Sequence, residues 1–100
     1  MSHIERKNGV VTMKPGIDIV ASQCAGLKQE FLEIINGGEN KIIIDLAGTE
    51  MIDSSGIGLL ISIRNSLVNY GGGEIELLNL SGDLKQLFKV MKLDNHFKIS

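Results

Sequence analysis

Tryptophan is missing, and Phe and Tyr together supply only 4% of the residues, so the chain has no row of rings on which bases could stack. Its single cysteine, Cys24, has no partner for an internal disulfide and no second thiol or neighbouring histidine for a metal site. It reads as a small apolar side chain at the start of a helix. Only His3 and His96 could serve as imidazole bases, and both lie near the ends of the sequence. The longest apolar stretches are about five residues, against the roughly 20 that a membrane-spanning helix needs. The opening "MSHIERKN" also lacks the apolar centre of a signal peptide, so a cytoplasmic location is expected. A formal net charge of -2, with 22% charged residues, gives neither the basic footprint of nucleic-acid binding nor the charge of a disordered chain. What is present, 100 residues of which 43% are hydrophobic, suffices for one modest core and leaves no room for a second domain.

The hydrophobic pattern alternates between strand and helix. "IERKNGVVTM" predicts two short strands around Asn8-Gly9, a dipeptide that tolerates the positive φ of a tight hairpin turn. After Pro15-Gly16, Leu27, Phe31, Ile34 and Ile35 form a helical stripe from about Ser22, ended by Asn36-Gly37-Gly38. "KIIIDL" has no polar alternation, which predicts a central strand buried on both faces. A second helix carries Leu60, Ile63 and Leu67 inward, with Arg64, Asn65 and Asn69 on the wetter side, and stops at Gly71-Gly72-Gly73. "EIELLNL" is the next strand. A third helix follows, with Ser81 as N-cap, Asp83 in its first turn and Leu84, Leu87, Phe88 and Met91 inward; Met91 and Leu93 are read as core, with exposed partner contacts as the alternative. "HFKIS" adds an edge strand. The order implies an α/β fold, a mixed sheet carrying its helices largely on one side.

The stretch that does not fit ordinary patterning is "MIDSSGIGLL", residues 51 to 60. Asp and Ser are preferred helix caps, so Asp53 or Ser54 could simply close the first turn, leaving Ser54 at the exposed cap. Each glycine costs about 1 kcal/mol of helix propensity, and a close approach to the strand feeding the helix would account for Gly56 and Gly58. A phosphate cradle is a second reading, kept open by Gly56-Ile57-Gly58 at a helix start. Against it, Gly-x-x-x-x-Gly-Lys-Ser/Thr is absent, no lysine lies between Gly48 and Ser62, and Asp53 repels phosphate. A serine hydrolase is a third reading, opposed by the absence of Gly-x-Ser-x-Gly. The fourth makes Ser54 a substrate. A phosphate written there would carry about -1.5 to -2 charges at the positive end of a helix dipole, changing the surface without dismantling the fold.

"IIIDLAGTEMIDSSGIGLLISI" resembles the core of the STAS domain family, matching its pattern at Asp45, Leu46, Asp53, Ser54, Ser55, Gly56 and Gly58. "GGGEIELLNLSGDLKQLFKVMKLDNHFKI" is similar to the family's closing half. The segment "KPGIDIVASQCAGL" departs from it, with Ile17-Asp18 in place of Leu-Asp, Pro15 before the glycine and extra residues before the first helix. The resemblance implies a single STAS domain over residues 1–100, with a mixed sheet of four to five strands and α-helices mainly on one face. It further implies a non-enzymatic, free-standing anti-sigma factor antagonist of bacteria, phosphorylated at Ser54. Such a protein binds an anti-sigma factor with serine kinase activity while unphosphorylated, is released by phosphorylation, and is reset by a PP2C-type serine phosphatase. Asp53, Ser54, Ser55, Gly56 and Asp18 are then the partner-binding residues, Asp53 facing the kinase and Ser55 shaping the helix start. No catalytic residue, cofactor, metal, direct nucleic-acid contact or membrane insertion is implied. A scaffold or accessory subunit of a stress-signalling or lipid-transport complex is the alternative.

Overall fold

The computed structural model describes residues 2–38, 41–69 and 74–100. Asn8 and Gly9 take φ of 54° and 79°, the left-handed pair that folds β1 (His3–Lys7) back on β2 (Val10–Lys14). These strands are antiparallel, with His3 opposite Lys14. From β2 onward every strand is reached through a helix. Thus α1 (Ala21–Asn36) leads to β3 (Lys41–Asp45), α2 (Ser54–Asn69) to β4 (Glu74–Leu78), and α3 (Gly82–Val90) to β5 (Lys98–Ile99). A 3-10 turn, Leu93–Asn95, separates α3 from β5. The five strands lie in the order β1-β2-β3-β4-β5, with β2 through β5 mutually parallel, a mixed sheet as the sequence implies.

Register shows where the core sits. Val11, Ile42 and Ile75 are lateral neighbours, as are Met13, Ile44 and Leu77, and all six are buried on one face. That face meets the apolar stripes of the helices: Leu27, Phe31, Ile34 and Ile35 of α1, Leu60, Ile63 and Leu67 of α2, Leu84 and Phe88 of α3. The opposite face carries Thr12, Ile43 and Glu76 in one row, all half-buried. Lys41 Nζ lies 3.2 Å from Glu76 Oε1 there, an ion pair between adjacent strands. The expectation that "KIIIDL" is buried on both faces is therefore corrected. β3 is central, but only Ile42 and Ile44 face the helices. Three branched residues in a row suit a pleated central strand even where one face stays wet, so the missing alternation misleads.

A second correction concerns Met91. It lies beyond the last helical residue of α3 as its C-cap, and Lys92 follows in the left-handed conformation at φ 58°. The chain turns there, and Met91 is 47% exposed instead of extending the buried stripe; Leu93 is in the core at 6%. The first helix begins at Ala21, one residue before the expected start. Ser81 caps α3 as expected, its hydroxyl accepting the Leu84 N–H at 3.2 Å. The expected stop of α2 at Gly71-Gly72-Gly73 lies outside the described residues. Among the described residues, no helix is long and apolar enough to cross a membrane.

Candidate functional site

Parallel strands deliver their outgoing loops to one end of the sheet. At that end the loop from β2 to α1 and the loop from β3 to α2 lie side by side and are stitched together. Ile19 and Ile52 form an isolated parallel bridge. The Ile19 N–H donates to the Met51 carbonyl at 3.0 Å, and the Ile19 carbonyl accepts the Asp53 N–H at 3.2 Å. Side chains complete the seam from both directions. Asp18 Oδ1 accepts the N–H groups of Glu50 at 2.9 Å and Met51 at 3.0 Å. The hydroxyl of Thr49, buried to 3% exposure, donates to the Ile17 carbonyl at 2.8 Å.

Asp53 returns the favour. Its Oδ1 accepts the Gly56 N–H at 2.9 Å, capping α2, while Oδ2 accepts the Ala21 N–H at 3.0 Å, capping α1. Val20 makes no side-chain cap of its own, so α1 takes this capping bond from a residue of the other loop. One carboxylate thus closes the N-termini of two helices, where both dipoles favour negative charge. The N–H groups of Gly56 and then Ala21 hold its carboxyl below the ordinary 3.8. Of the two caps the sequence offers, Asp53 is the one used; the placing of Ser54 at the cap is corrected, since Ser54 is the first residue inside α2. Both Ser54 and Ser55 are exposed.

The two glycines of the motif part company. A Cβ at Gly56 would stand 2.1 Å from the Ile19 carbonyl oxygen and 2.8 Å from Ile52 Cγ2. The nearest approach is to the loop of the other crossover, followed by Ile52 in the segment that leads into the helix, and not to β3 itself. Gly58 has nothing within 4 Å, so close approach does not explain it. Below the seam, Asp45 Oδ1 accepts from Asn79 Nδ2 at 2.9 Å and from the Ala47 N–H at 3.0 Å. These bonds, the Asn79 contact foremost, hold the Asp45 carboxyl below the ordinary range, and they fasten the loop after β4 to the end of β3.

Of the residues expected at the site, Asp18, Asp53, Ser54, Ser55 and Gly56 do come together. Thr49, Ile19 and Asn79 complete the arrangement and carry no motif; a threonine between apolar segments is the one hint the sequence offers. Chemically the site is poor in the parts of a hydrolase. His3 sits on the outer strand β1 beside Glu5, and His96 precedes β5 at the far end of the sheet. A bound phosphate finds the helix starts already occupied by the Asp53 carboxylate. Cys24 donates its thiol to the Val20 carbonyl at 3.3 Å, and burial followed by the Asp53 charge pushes that thiol up, away from the reactive thiolate. Among the described residues, no group of three or more His, Cys, Asp or Glu could hold a metal ion. The site offers an exposed hydroxyl on a rim of two hydrogen-bonded loops.

The model of the STAS domain matches residues 2–100. A protein of Thermotoga neapolitana, named a candidate anti-sigma factor antagonist, is 33% identical over 72 residues, 72% of this chain and 63% of that protein. The chain thus spans less than two thirds of the length of that relative. A crystal structure of a candidate anti-sigma factor antagonist from Thermotoga maritima superposes with a TM-score of 0.89 at 26% identity, covering 98% of this chain and 84% of that one. The phosphorylated form of SpoIIAA, a Bacillus cell fate determinant, superposes at 0.74 and 20% identity over 100% of this chain and 91% of its own, a likeness of fold.

Proposed function

The chain belongs to the STAS domain family, and from that premise we propose that it acts as an anti-sigma factor antagonist switched by phosphorylation of Ser54. The unmodified protein docks the loop end of its sheet on an anti-sigma factor that is also a serine kinase. Transfer of phosphate to the Ser54 hydroxyl ends that contact, and a PP2C-type phosphatase restores it. The protein supplies a surface and a phosphate acceptor and carries out no catalytic step itself. This takes place in the cytoplasm, with residues 1–100 acting as one STAS domain.

The observation that carries the reading is the exposure of Ser54 immediately after a cap that is already complete. The Asp53 carboxylate accepts an N–H at each of the two helix starts, and the serine hydroxyl takes no part in either capping bond. A phosphate adds about -1.5 to -2 charges beside Asp53, altering a docking surface by repulsion and desolvation while the capping bonds persist. The names of the Thermotoga proteins support the same role.

Incubation with the serine kinase of its own anti-sigma system and ATP, followed by mass spectrometric mapping, should place phosphate on Ser54 alone. Ser54→Ala should then bind the anti-sigma factor constitutively, and Ser54→Asp at least about tenfold more weakly. Modification confined to another residue, or equal binding before and after phosphorylation, would overturn the proposal.

A further inference from the structure

The resemblance assigns Asp18 to the partner-binding set, yet the Asp18 carboxylate is turned inward on the neighbouring loop. Its Oδ1 takes two consecutive N–H groups, Glu50 at 2.9 Å and Met51 at 3.0 Å. One residue on, the Ile19 carbonyl takes the Asp53 N–H at 3.2 Å. Three of the four N–H groups that precede Ser54 are therefore held by residues 18 and 19. Met51 and Glu50 are themselves exposed, between the buried Thr49 and Ile52, so their own side chains do not anchor the stretch between those two. Hydrogen bonds must do so, and two of them end on one oxygen.

We propose that Asp18 is a positioning residue for Ser54: it sets where the hydroxyl stands by clamping the Glu50–Met51 backbone, and is not itself a contact read by the partner. The clamp is one half of a crossed pair. Asp18 reaches from the first loop to the second, and Asp53 reaches from the second back to Ala21 of the first. The Asp53 carboxylate ties the start of α2 to that of α1, alongside the Ile19–Ile52 bridge and the Asp53 N–H on the Ile19 carbonyl. In the backbone leading into α2 the Met51 carbonyl is held by the Ile19 N–H, but among the described residues only the Asp18 carboxylate binds the N–H groups of residues 50 and 51. Transfer of a phosphoryl group needs the acceptor oxygen aligned with the donor, and a displacement of about 1 Å at the reacting atom can cost about a hundredfold in rate. An unclamped loop would present Ser54 over a range of positions.

This inference rests on Ser54 being the modified residue, and the test separates the two. The pair Asp18→Asn and Asp18→Ala distinguishes clamp from contact, because an asparagine carbonyl oxygen can still accept both N–H groups while carrying no charge. The first arm needs no partner: amide hydrogen exchange at Glu50 and Met51 should accelerate about tenfold or more in Asp18→Ala and stay within about twofold in Asp18→Asn. The second arm is phosphorylation of the full chain by the anti-sigma kinase. Asp18→Ala should lower kcat about tenfold or more with little change in KM, and Asp18→Asn should restore it. Unchanged exchange in Asp18→Ala overturns the clamp. So does an Asp18→Asn protein with native exchange but phosphorylation as poor as that of Asp18→Ala, since the charge itself is then being read. If the unmodified chain receives no phosphate on Ser54, the functional reading fails, and the exchange arm alone decides the clamp.

Discussion

At Gly56 a methyl group would have to share space with the Ile19 carbonyl oxygen, 2.1 Å from the position of its carbon, whereas at Gly58 it would enter solvent. Backbone, unlike the end of a flexible side chain, cannot swing aside. Gly56→Ala should therefore force the two loops apart and cost about 3 kcal/mol or more of stability. Gly58→Ala, two residues later in the same helix, should be neutral or stabilising by up to about 1 kcal/mol, because alanine is the better helix former. Urea denaturation of the two variants side by side checks this; equal losses would mean that the seam does not constrain Gly56. The sequence assigns both glycines one reading. It could not separate them, because the difference depends on a carbonyl 37 positions away in the numbering, on a loop of another crossover.

Among the elements, those whose cause is local were legible. The Asn8-Gly9 hairpin follows from two left-handed residues, α1 and α2 from an apolar stripe, and the start of α3 from Ser81. Ser81→Ala should cost about 1 kcal/mol, the usual value of an N-cap, and melt α3 first. Thr49→Val retains shape but leaves the Ile17 carbonyl without its donor, and should cost about 1–3 kcal/mol; thermal unfolding followed by circular dichroism measures both. The seam itself was not legible. Its bonds span 32 to 34 positions, join two segments without periodicity, and involve backbone groups that carry no residue signature. Met91 failed for the opposite reason. Its spacing continues the stripe of α3, and only the left-handed Lys92 shows that the helix has already stopped.

For the molecule as a whole, carboxylates at the loop end link stability to pH. Asp45, through Asn79 and then the Ala47 N–H, and Asp53, through the N–H groups of Gly56 and Ala21, both ionise below the ordinary 3.8 when folded. A depressed folded value means that folding favours the charged form. Its contribution is complete above about pH 5, and is lost as the pH falls through the unfolded value of about 4 and on through the folded one. The urea midpoint should hold from neutrality to about pH 5 and then decline, with a shallower decline in a chain carrying Asp45→Asn and Asp53→Asn. A midpoint indifferent to pH down to about 3 would show that these bonds do not favour the ionised forms.

Strand direction has one more consequence. β1 begins opposite Lys14, where β2 ends, and β5 runs parallel to β4 toward that same end, on the other edge of the sheet. Anything joined before His3 or after Ile99 therefore emerges beside the rim that holds Ser54, flanking it left and right. An affinity tag or fluorescent fusion at either terminus would shade the docking end. Labels for binding measurements belong instead on the far rim, at the turn carrying Asn8 or at exposed Asn95.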